Sequence, residues 1–197
     1  MTEAGCPAAR GPCGIPAARV SRGSRARTAR RSRVVLALGS NLGDRLGALQ
    51  SAVDALAAGG GLEIVAVSPV YETAPVGGPS QPDYLNAVLI AETSLPPRGI
   101  LRRAQAAEAA LHRTREVRWG PRTLDVDVIA YGDEVSADPA LTLPHPRAHE
   151  RAFVLAPWHD ADPDAELPCH GRVAGLLAAL GRHGVQRRDD MALRCPA

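Results

Sequence analysis

Two acidic residues, Asp125 and Asp127, stand two positions apart in a stretch whose other members are apolar. Leu124, Val126 and Val128 alternate with them, and this period of two predicts a β-strand that carries both carboxylates on one face. Their Cα atoms are then about 7 Å apart, at about 3.3 Å of rise per residue. At that spacing both side chains reach one cation or a close pair of cations. Without a cation, their mutual repulsion raises the pKa of one of them.

The residues before this pair help to distinguish a metal site from the simpler alternative, an edge strand with a solvated acidic face. Arg118, Trp119 and Arg122 place cations and a large aromatic ring directly ahead of the carboxylates. This combination suits a polyanion that brings its own metal ion. Magnesium binds in this way, through one or two carboxylates together with the phosphates of a substrate. The stretch therefore favours a magnesium-dependent phosphate site.

The charge of the chain is unevenly distributed. Eight of the 23 basic residues and one of the 21 acidic residues lie in residues 1–33, which leaves 15 basic against 20 acidic residues in the remainder. Such a remainder offers no broad basic surface for nucleic acid. The chain contains no Lys, which excludes a phosphate loop of the Gly-Lys-Ser/Thr type. Phosphate recognition must then use Arg, backbone N–H groups and metal.

Residues 1–33 are rich in Gly, Pro, Ala, Ser and Arg and show no apolar periodicity. This composition predicts a disordered, dispensable extension, although it superficially resembles a transit peptide. Residues 34–197 are predicted to form a single domain. No apolar run has the length of a membrane span. Cys6, Cys13, Cys169 and Cys195 form no Cys-x-x-Cys pair, so free thiols and a cytoplasmic location are expected.

Apolar periodicity and turn residues predict four strands and two helices in the order strand, helix, strand, strand, helix, strand. This is the order of the ferredoxin-like β-α-β-β-α-β fold of the α+β class, an antiparallel sheet with helices packed on one face. The strands are predicted at 34–38, 62–71, 84–93 and 124–131. The helices are predicted at 44–58 and from Leu95-Pro96-Pro97 onward. A C-terminal annex follows, with a short strand at 141–143, a turn or short helix at 149–155, a helix at 173–180 and fraying beyond about Gly184.

Five short motifs follow one another over about residues 34–160. They are Gly39-Ser40-Asn41-Leu42-Gly43-Asp44; Tyr71-Glu72-Thr73-Ala74-Pro75; Gln81-Pro82-Asp83-Tyr84-Leu85-Asn86-Ala87; the Arg118–Asp127 stretch; and Leu143-Pro144-His145-Pro146-Arg147 with Glu150-Arg151-Ala152-Phe153-Val154-Leu155. In this order the motifs resemble the 6-hydroxymethyl-7,8-dihydropterin pyrophosphokinase family of folate biosynthesis. Each motif alone is weak, whereas all five in sequence are very specific.

The resemblance implies an enzyme that transfers a pyrophosphoryl group from ATP to the hydroxymethyl group of the pterin and leaves AMP. Attack falls on the β-phosphorus, so charge develops there and on the departing α-phosphate oxygen. The resemblance assigns Asp125 and Asp127 as ligands of two Mg²⁺ ions that would neutralise this charge. Asp127, or its metal, is also a candidate acceptor of the hydroxyl proton. The expected partners are ATP and the pterin, with no nucleic acid and no membrane, and the chain is expected to be a monomer.

The resemblance also assigns roles to the remaining site residues. Arg113 and Arg122 are the implied catalytic arginines, since guanidinium groups bind phosphate oxygens in pairs and stay charged. The implied ATP-binding residues are Gln105, Glu108, Trp119, His145 and Arg151. The implied pterin-binding residues are Thr73, Val76, Tyr84, Asn86 and Phe153, with Tyr84 and Phe153 stacking on the ring. Without the resemblance, core packing would be the favoured interpretation of Tyr84 and Phe153, and a solvated helix face that of Gln105 and Glu108.

Two alternatives belong to other functional classes. A ferredoxin-like nucleic-acid-binding module would need several exposed aromatic residues on its sheet. The chain has six aromatic residues, of which only Tyr84 is clearly on a predicted strand face. A salt-dependent RNA affinity retained by residues 34–197 would support this alternative. A catalytically inactive relative that serves as a scaffold is disfavoured, because the expected charged positions are all present.

Overall fold

A computed structural model of the chain describes residues 31–75, 80–111 and 122–196. The predictions made for Val76, Arg113 and Trp119, and for the extension up to residue 30, lie outside the described residues. Within those ranges the molecule combines an antiparallel sheet with α-helices. The prediction of a mixed α+β class is therefore confirmed.

The main sheet of the described residues has six strands, and every pair in it is antiparallel. Its strands are β1 (Ser32–Ser40), β2 (Leu62–Val67), β3 (Tyr71–Thr73), β4 (Tyr84–Thr93), β5 (Asp125–Tyr131) and β10 (Val185–Arg187). The order is β10-β3-β4-β1-β5, and β2 pairs with the other half of β4. Two small ladders lie outside this sheet, formed by β6 (Ser136–Asp138) with β7 (Leu141–Leu143) and by β8 (Glu166–Leu167) with β9 (Gly171–Arg172).

The predicted second strand, 62–71, is divided into β2 and β3 at Pro69. Proline has no N–H to donate to a neighbouring strand. Ser68 supplies the contacts that keep the divided strand along β4, because its N–H donates to the Val88 carbonyl at 2.9 Å and its Oγ accepts the Val88 N–H at 2.8 Å. The chain therefore follows β4 on both sides of the break.

Four α-helices are described: α1 (Arg45–Ala57), α2 (Pro97–Ala110), α3 (Ala152–Ala161) and α4 (Val173–Leu180). Helix α1 begins after Asp44, whose carboxylate accepts the Gly47 N–H at 2.9 Å and so caps the first turn. Helix α2 begins with Pro97, at the position where a missing N–H costs no hydrogen bond. The described helices are all too short or too polar to cross a bilayer.

Helices cover both faces of the sheet: the two helices of the predicted unit lie on one face, and helices of the C-terminal annex lie on the other. Helices α1 and α2 pack on the face that carries Leu36 and Leu89. Helices α3 and α4 belong to a second core on the opposite face, with Val88, Ile90 and Leu155. The central strands are apolar on both sides and therefore need cover on both sides. The C-terminal annex supplies the second layer.

The C-terminal segment continues the sheet, so the prediction of fraying beyond about Gly184 is wrong. Strand β10 pairs with β3, with Val185 opposite Thr73. The Arg188 N–H donates to the Val70 carbonyl at 2.9 Å. The outer edge of β3 would otherwise present unpaired backbone groups, and β10 covers it.

Candidate functional site

A cavity of about 660 Å³ opens at the end of the sheet where β1 ends and β4 begins. Strands β1, β3, β4 and β5 contribute to its walls, together with the residues that begin α3 and with the C-terminal segment. The predicted site residues that line it are Thr73, Tyr84, Asn86, Arg122, Asp125, Arg151 and Phe153. These residues come from four of the five sequence motifs, including the acidic strand, and Gly39 of the remaining motif also lines the cavity.

Two aromatic rings and a buried amide contribute to the cavity lining. Tyr84 and Phe153 provide the rings, and the Asn86 side chain is buried in the wall, where its amide donates to Thr73 Oγ1 at 2.9 Å. Burial raises the pKa of Tyr84, although the nearby Arg122 guanidinium opposes the shift. The phenol is therefore neutral at physiological pH and keeps its proton as a hydrogen-bond donor.

Gly39, on β1, keeps this part of the cavity open. A Cβ at this position would lie 3.3 Å from Asn86 Oδ1 and 3.8 Å from Tyr84 Cδ1. The first distance is tighter than ordinary side-chain contacts, so any larger residue would press on the amide that faces the cavity. A glycine at the end of a strand is the only sequence signal of this close approach.

Asp125 lines the cavity, Asp127 follows it two positions later on β5, and each carboxylate already has a cationic partner. Arg122 Nη1 donates to Asp125 Oδ2 at 2.7 Å, and Arg151 Nη1 donates to Asp127 Oδ2 at 3.3 Å. The pKa of Asp127 is raised, first by burial and then by the charge of Asp125, with His145 and Arg151 opposing both. This agrees with the repulsion expected of two close carboxylates in the absence of a cation.

His145 faces Asp127 from the loop after β7. Its N–H donates to the Ile129 carbonyl at 2.8 Å, and its Nδ1 accepts the Arg147 N–H at 3.1 Å. The neutral ring therefore carries its proton on Nε2, which lies 3.9 Å from Asp127 Oδ2. Burial lowers the pKa of His145, Asp127 raises it, and Arg151 and Arg147 lower it further, with a net decrease. At neutral pH the imidazole presents an uncharged N–H beside the acidic pair.

The two predicted ATP-binding residues of α2 lie away from the cavity lining. Gln105 is exposed, as a solvated helix face predicts. Glu108 is instead 7% exposed, and its carboxylate accepts the Val126 N–H at 3.0 Å. Strand β5 is at the edge of the described sheet, so this N–H has no strand partner, and Glu108 satisfies it. A role for either residue toward ATP remains a prediction.

The sequence analysis missed Asn41, which joins three parts of the site. Its side chain is 1% exposed, and its amide donates to Gln81 Oε1 at 3.0 Å and to the Pro82 carbonyl at 3.1 Å. Its Oδ1 accepts the Arg122 N–H at 2.8 Å, and its own N–H donates to the Arg122 carbonyl at 3.1 Å. Asn41 therefore holds the segment before Tyr84 and the segment before Asp125 at one strand end. The sequence showed that Asn41 belongs to a turn motif, but it did not show these hydrogen-bond partners.

The donor set fits a hard divalent cation held jointly with a phosphorylated substrate. Asp125 and Asp127 are two carboxylates on one strand face, and Mg²⁺ commonly takes that number from a protein. Within 31–75, 80–111 and 122–196, no group of three or more His, Cys, Asp and Glu residues is placed to hold a metal by itself. Oxygen atoms from a substrate would then complete the coordination.

Comparison with known proteins identifies the family. The sequence profile of 7,8-dihydro-6-hydroxymethylpterin-pyrophosphokinase (HPPK) matches residues 35–163. A Mycobacterium tuberculosis protein named 2-amino-4-hydroxy-6-hydroxymethyldihydropteridine pyrophosphokinase is 51% identical over 162 residues, which cover 76% of this chain and 84% of that protein. A Pseudomonas aeruginosa protein of the same name is 41% identical over 155 residues, which cover 79% of this chain and 96% of that protein. The chain belongs to the HPPK family, so the predicted family and the predicted class of enzyme are confirmed.

Solved structures agree with this assignment at the level of the fold. The wild-type HPPK-DHPS of Plasmodium falciparum, crystallised with SDX-DHP, superposes with a TM-score of 0.61 at 12% sequence identity. The match covers 80% of this chain and 48% of that one, so this chain spans about half the length of the solved protein. At this identity the likeness concerns the fold alone.

Proposed function

We propose that this chain transfers pyrophosphate from ATP to 6-hydroxymethyl-7,8-dihydropterin in folate biosynthesis, giving AMP and the pterin diphosphate. One observation carries the proposal: a single cavity is lined by Asp125 with Arg122 and Arg151 and by the aromatic residues Tyr84 and Phe153, and Arg151 also bonds to Asp127. A phosphate donor on the charged groups and a flat ring on the aromatic residues would meet within that cavity. The names of the relatives support the same pair of substrates.

The pterin end uses stacking for affinity and amides for recognition. Tyr84 and Phe153 would take the ring between them. Asn86 already donates to Thr73 Oγ1, and its amide oxygen can accept a hydrogen bond from the pterin edge. The Arg151 guanidinium lies 5.5 Å from the centre of the Phe153 ring, so the charged and the aromatic groups of the cavity meet at this pair. The hydroxymethyl group of the pterin would point toward Arg151.

The triphosphate end requires the arginines to change partners. Asp125 and Asp127 would hold Mg²⁺, two ions in the family mechanism, and the metal would neutralise charge that develops on the phosphate oxygens. The guanidinium groups of Arg122 and Arg151, now on the carboxylates, would then bind phosphate oxygens in pairs. The Nε2–H of His145 would donate a hydrogen bond to a further phosphate oxygen.

The chemical step is a displacement at the β-phosphorus. The pterin hydroxyl oxygen bonds to the β-phosphorus, and the bond from that phosphorus to the oxygen bridging the α-phosphate breaks, which releases AMP. The hydroxyl proton must leave the attacking oxygen. We assign its acceptance to Asp127 or to the metal ion that Asp127 would hold, as the family resemblance implies.

The topology also supports the finer fold assignment. With β2 and β3 counted as one divided strand, the chain runs β1, α1, β2/β3, β4, α2, β5, and β4 lies beside β1 in the centre of the sheet. We infer that this unit is ferredoxin-like, with β10, α3 and α4 added to it.

Release of AMP tests the proposed function. The full chain, ATP and Mg²⁺ should yield AMP only when hydroxymethyl-dihydropterin is added, and a chelator should abolish the reaction. Asp127→Asn should lower turnover by about 1,000-fold, since a metal ligand and proton acceptor are lost together. Asp138→Asn is the matched control, because it removes a half-buried carboxylate that bonds to Arg98 and does not line the cavity. AMP release that is independent of the pterin, or a fully active Asp127→Asn variant, would refute the proposal.

A further inference from the structure

The C-terminal segment contributes a wall to the cavity, although it lies outside the region matched by the family profile. That profile ends at residue 163, whereas His183, Gly184 and Val185 line the cavity. Strand β10 places them there, because Val185 lies opposite Thr73. Thr73 in turn holds the Asn86 amide. The wall therefore stands at the pterin end of the cavity.

The local backbone supports the direction of His183. Gly181 has a φ of +74°, in the left-handed region, and a Cβ there would lie 3.1 Å from His183 Cδ2. The imidazole is therefore packed over a residue that has no side chain. His183 is exposed, so its side chain does not contribute to the core. Its position at the cavity therefore needs another explanation.

Asp160, in α3, holds both sides of this segment. Its carboxylate accepts hydrogen bonds from Tyr71 Oη at 2.6 Å, Arg182 Nη2 at 3.1 Å and Arg187 Nη1 at 3.2 Å. Arg182 Nη1 also donates to Tyr71 Oη at 2.9 Å. Arg182 precedes the wall and Arg187 follows it, so one carboxylate fixes the two ends of the segment that includes His183.

The surroundings of the Asp160 carboxyl favour its ionised form. Burial alone would raise the pKa of Asp160, but hydrogen bonds from Tyr71 and Arg182, and the charges of Arg182 and Arg187, lower it overall. The Asp160 side chain is 15% exposed. A half-exposed loop would not need three donors on one carboxylate, whereas a wall that must keep its shape against a ligand does.

We propose that residues 183–185 form a wall of the pterin site and that Asp160 is the positioning residue that holds this wall in place. The inference rests on the proposed function, since it names the end of the cavity where the pterin binds. The wall contacts the ring and not the triphosphate, so loosening it raises the KM for the pterin and leaves the KM for ATP and kcat unchanged.

The first test is Asp160→Asn, which keeps the size of the side chain and removes its charge. We expect the KM for the pterin to rise about fivefold, with the KM for ATP and kcat within about twofold of wild type. Asp160→Glu, which restores the charge, should recover part of the loss. Asp164→Asn is the matched control, because its carboxylate, 90% exposed, bonds to Arg172 in the same annex without reaching the cavity. Equal changes in both KM values would overturn the proposal.

A second variant decides the matter if Asp160→Asn does not fold. His183→Ala changes an exposed side chain and should leave the fold intact, with a rise of about threefold in the KM for the pterin alone. If His183→Ala has an unchanged KM for the pterin and the wild type turns over normally, the proposed wall is refuted and the proposed function stands. A wild type that shows no pterin-dependent AMP release overturns both.

Discussion

The contacts of Asn41 allow the effect of one substitution to be worked out in advance. In Asn41→Ala the side chain loses three hydrogen bonds, to Gln81, to the Pro82 carbonyl and from the Arg122 N–H. Each bond contributes about 1 kcal/mol net, and a buried partner left unsatisfied makes the loss larger. We therefore expect the free energy of unfolding to fall by about 3 kcal/mol, which lowers the Tm by about 6–12 °C for a chain of this size.

The same substitution should also affect turnover. The backbone bond from the Asn41 N–H to the Arg122 carbonyl remains, so the Arg122 segment is loosened and not released. We expect kcat/KM to fall by about tenfold at a temperature where the variant is fully folded, because an arginine displaced by less than 1 Å binds the transition state less well. Asn41→Asp keeps the acceptor for the Arg122 N–H but places a buried carboxylate against Gln81 Oε1 and the Pro82 carbonyl, so its Tm should fall at least as far as that of Asn41→Ala.

Gln50→Ala provides the matched control for Asn41→Ala. The Gln50 side chain also makes three hydrogen bonds, two with the Arg194 backbone and one with Asp54, but it lies on α1 away from the cavity. It should lower the Tm less, because its groups can bond to water, and should leave kcat/KM unchanged. The assays are thermal unfolding by circular dichroism and the rate of AMP release. An Asn41→Ala variant with a Tm within about 2 °C of wild type and normal turnover would falsify this account of the site.

Two further predictions concern charged groups around the cavity. Arg122→Ala should lower kcat by about 100-fold, because it removes a donor to developing phosphate charge, while the affinity for the pterin, measured by fluorescence, changes little. Equal losses in both quantities would show that Arg122 acts in binding. Glu72→Gln should change the response of stability to pH: hydrogen bonds from Arg45 and Arg188 outweigh burial and lower the pKa of Glu72. A carboxyl with a lowered folded pKa stabilises the protein above its unfolded value, about 4.3, and loses this contribution as the pH falls through the folded value. Glu72→Gln should therefore unfold at lower urea concentration than wild type at pH 7, and this difference should shrink as the pH falls below about 4.3. A difference that stays constant with pH would contradict this.

Local sequence patterns were sufficient for the elements that carry the site. The alternation around Asp125 predicted β5 and the common face of its two carboxylates. Asp44 and Pro97 marked the starts of α1 and α2, since caps and first-turn residues act within a few positions of themselves. A family resemblance singled out Tyr84, Asn86 and Phe153 as candidate pterin-binding residues, and all three line the cavity.

Partners that are distant in the chain were not readable from these patterns. A buried asparagine in a turn motif has the same local signal whether it bonds to its neighbours or, as Asn41 does, to residues about 40 and 80 positions away. Glu108 looked like part of a solvated helix face, because its partner is the backbone N–H of an edge strand.

The amino-acid sequence alone determined most of the main strands and helices, and which acids stand on one face, because these properties depend on spacing along the chain. The tertiary structure decided that helices cover both faces of the sheet, that the C-terminal residues extend it, and that Asp160 holds them beside Thr73. Those outcomes depend on which surfaces meet when unpaired strand edges and apolar faces are removed from water. That selection is made among segments remote in sequence, and no local pattern records it.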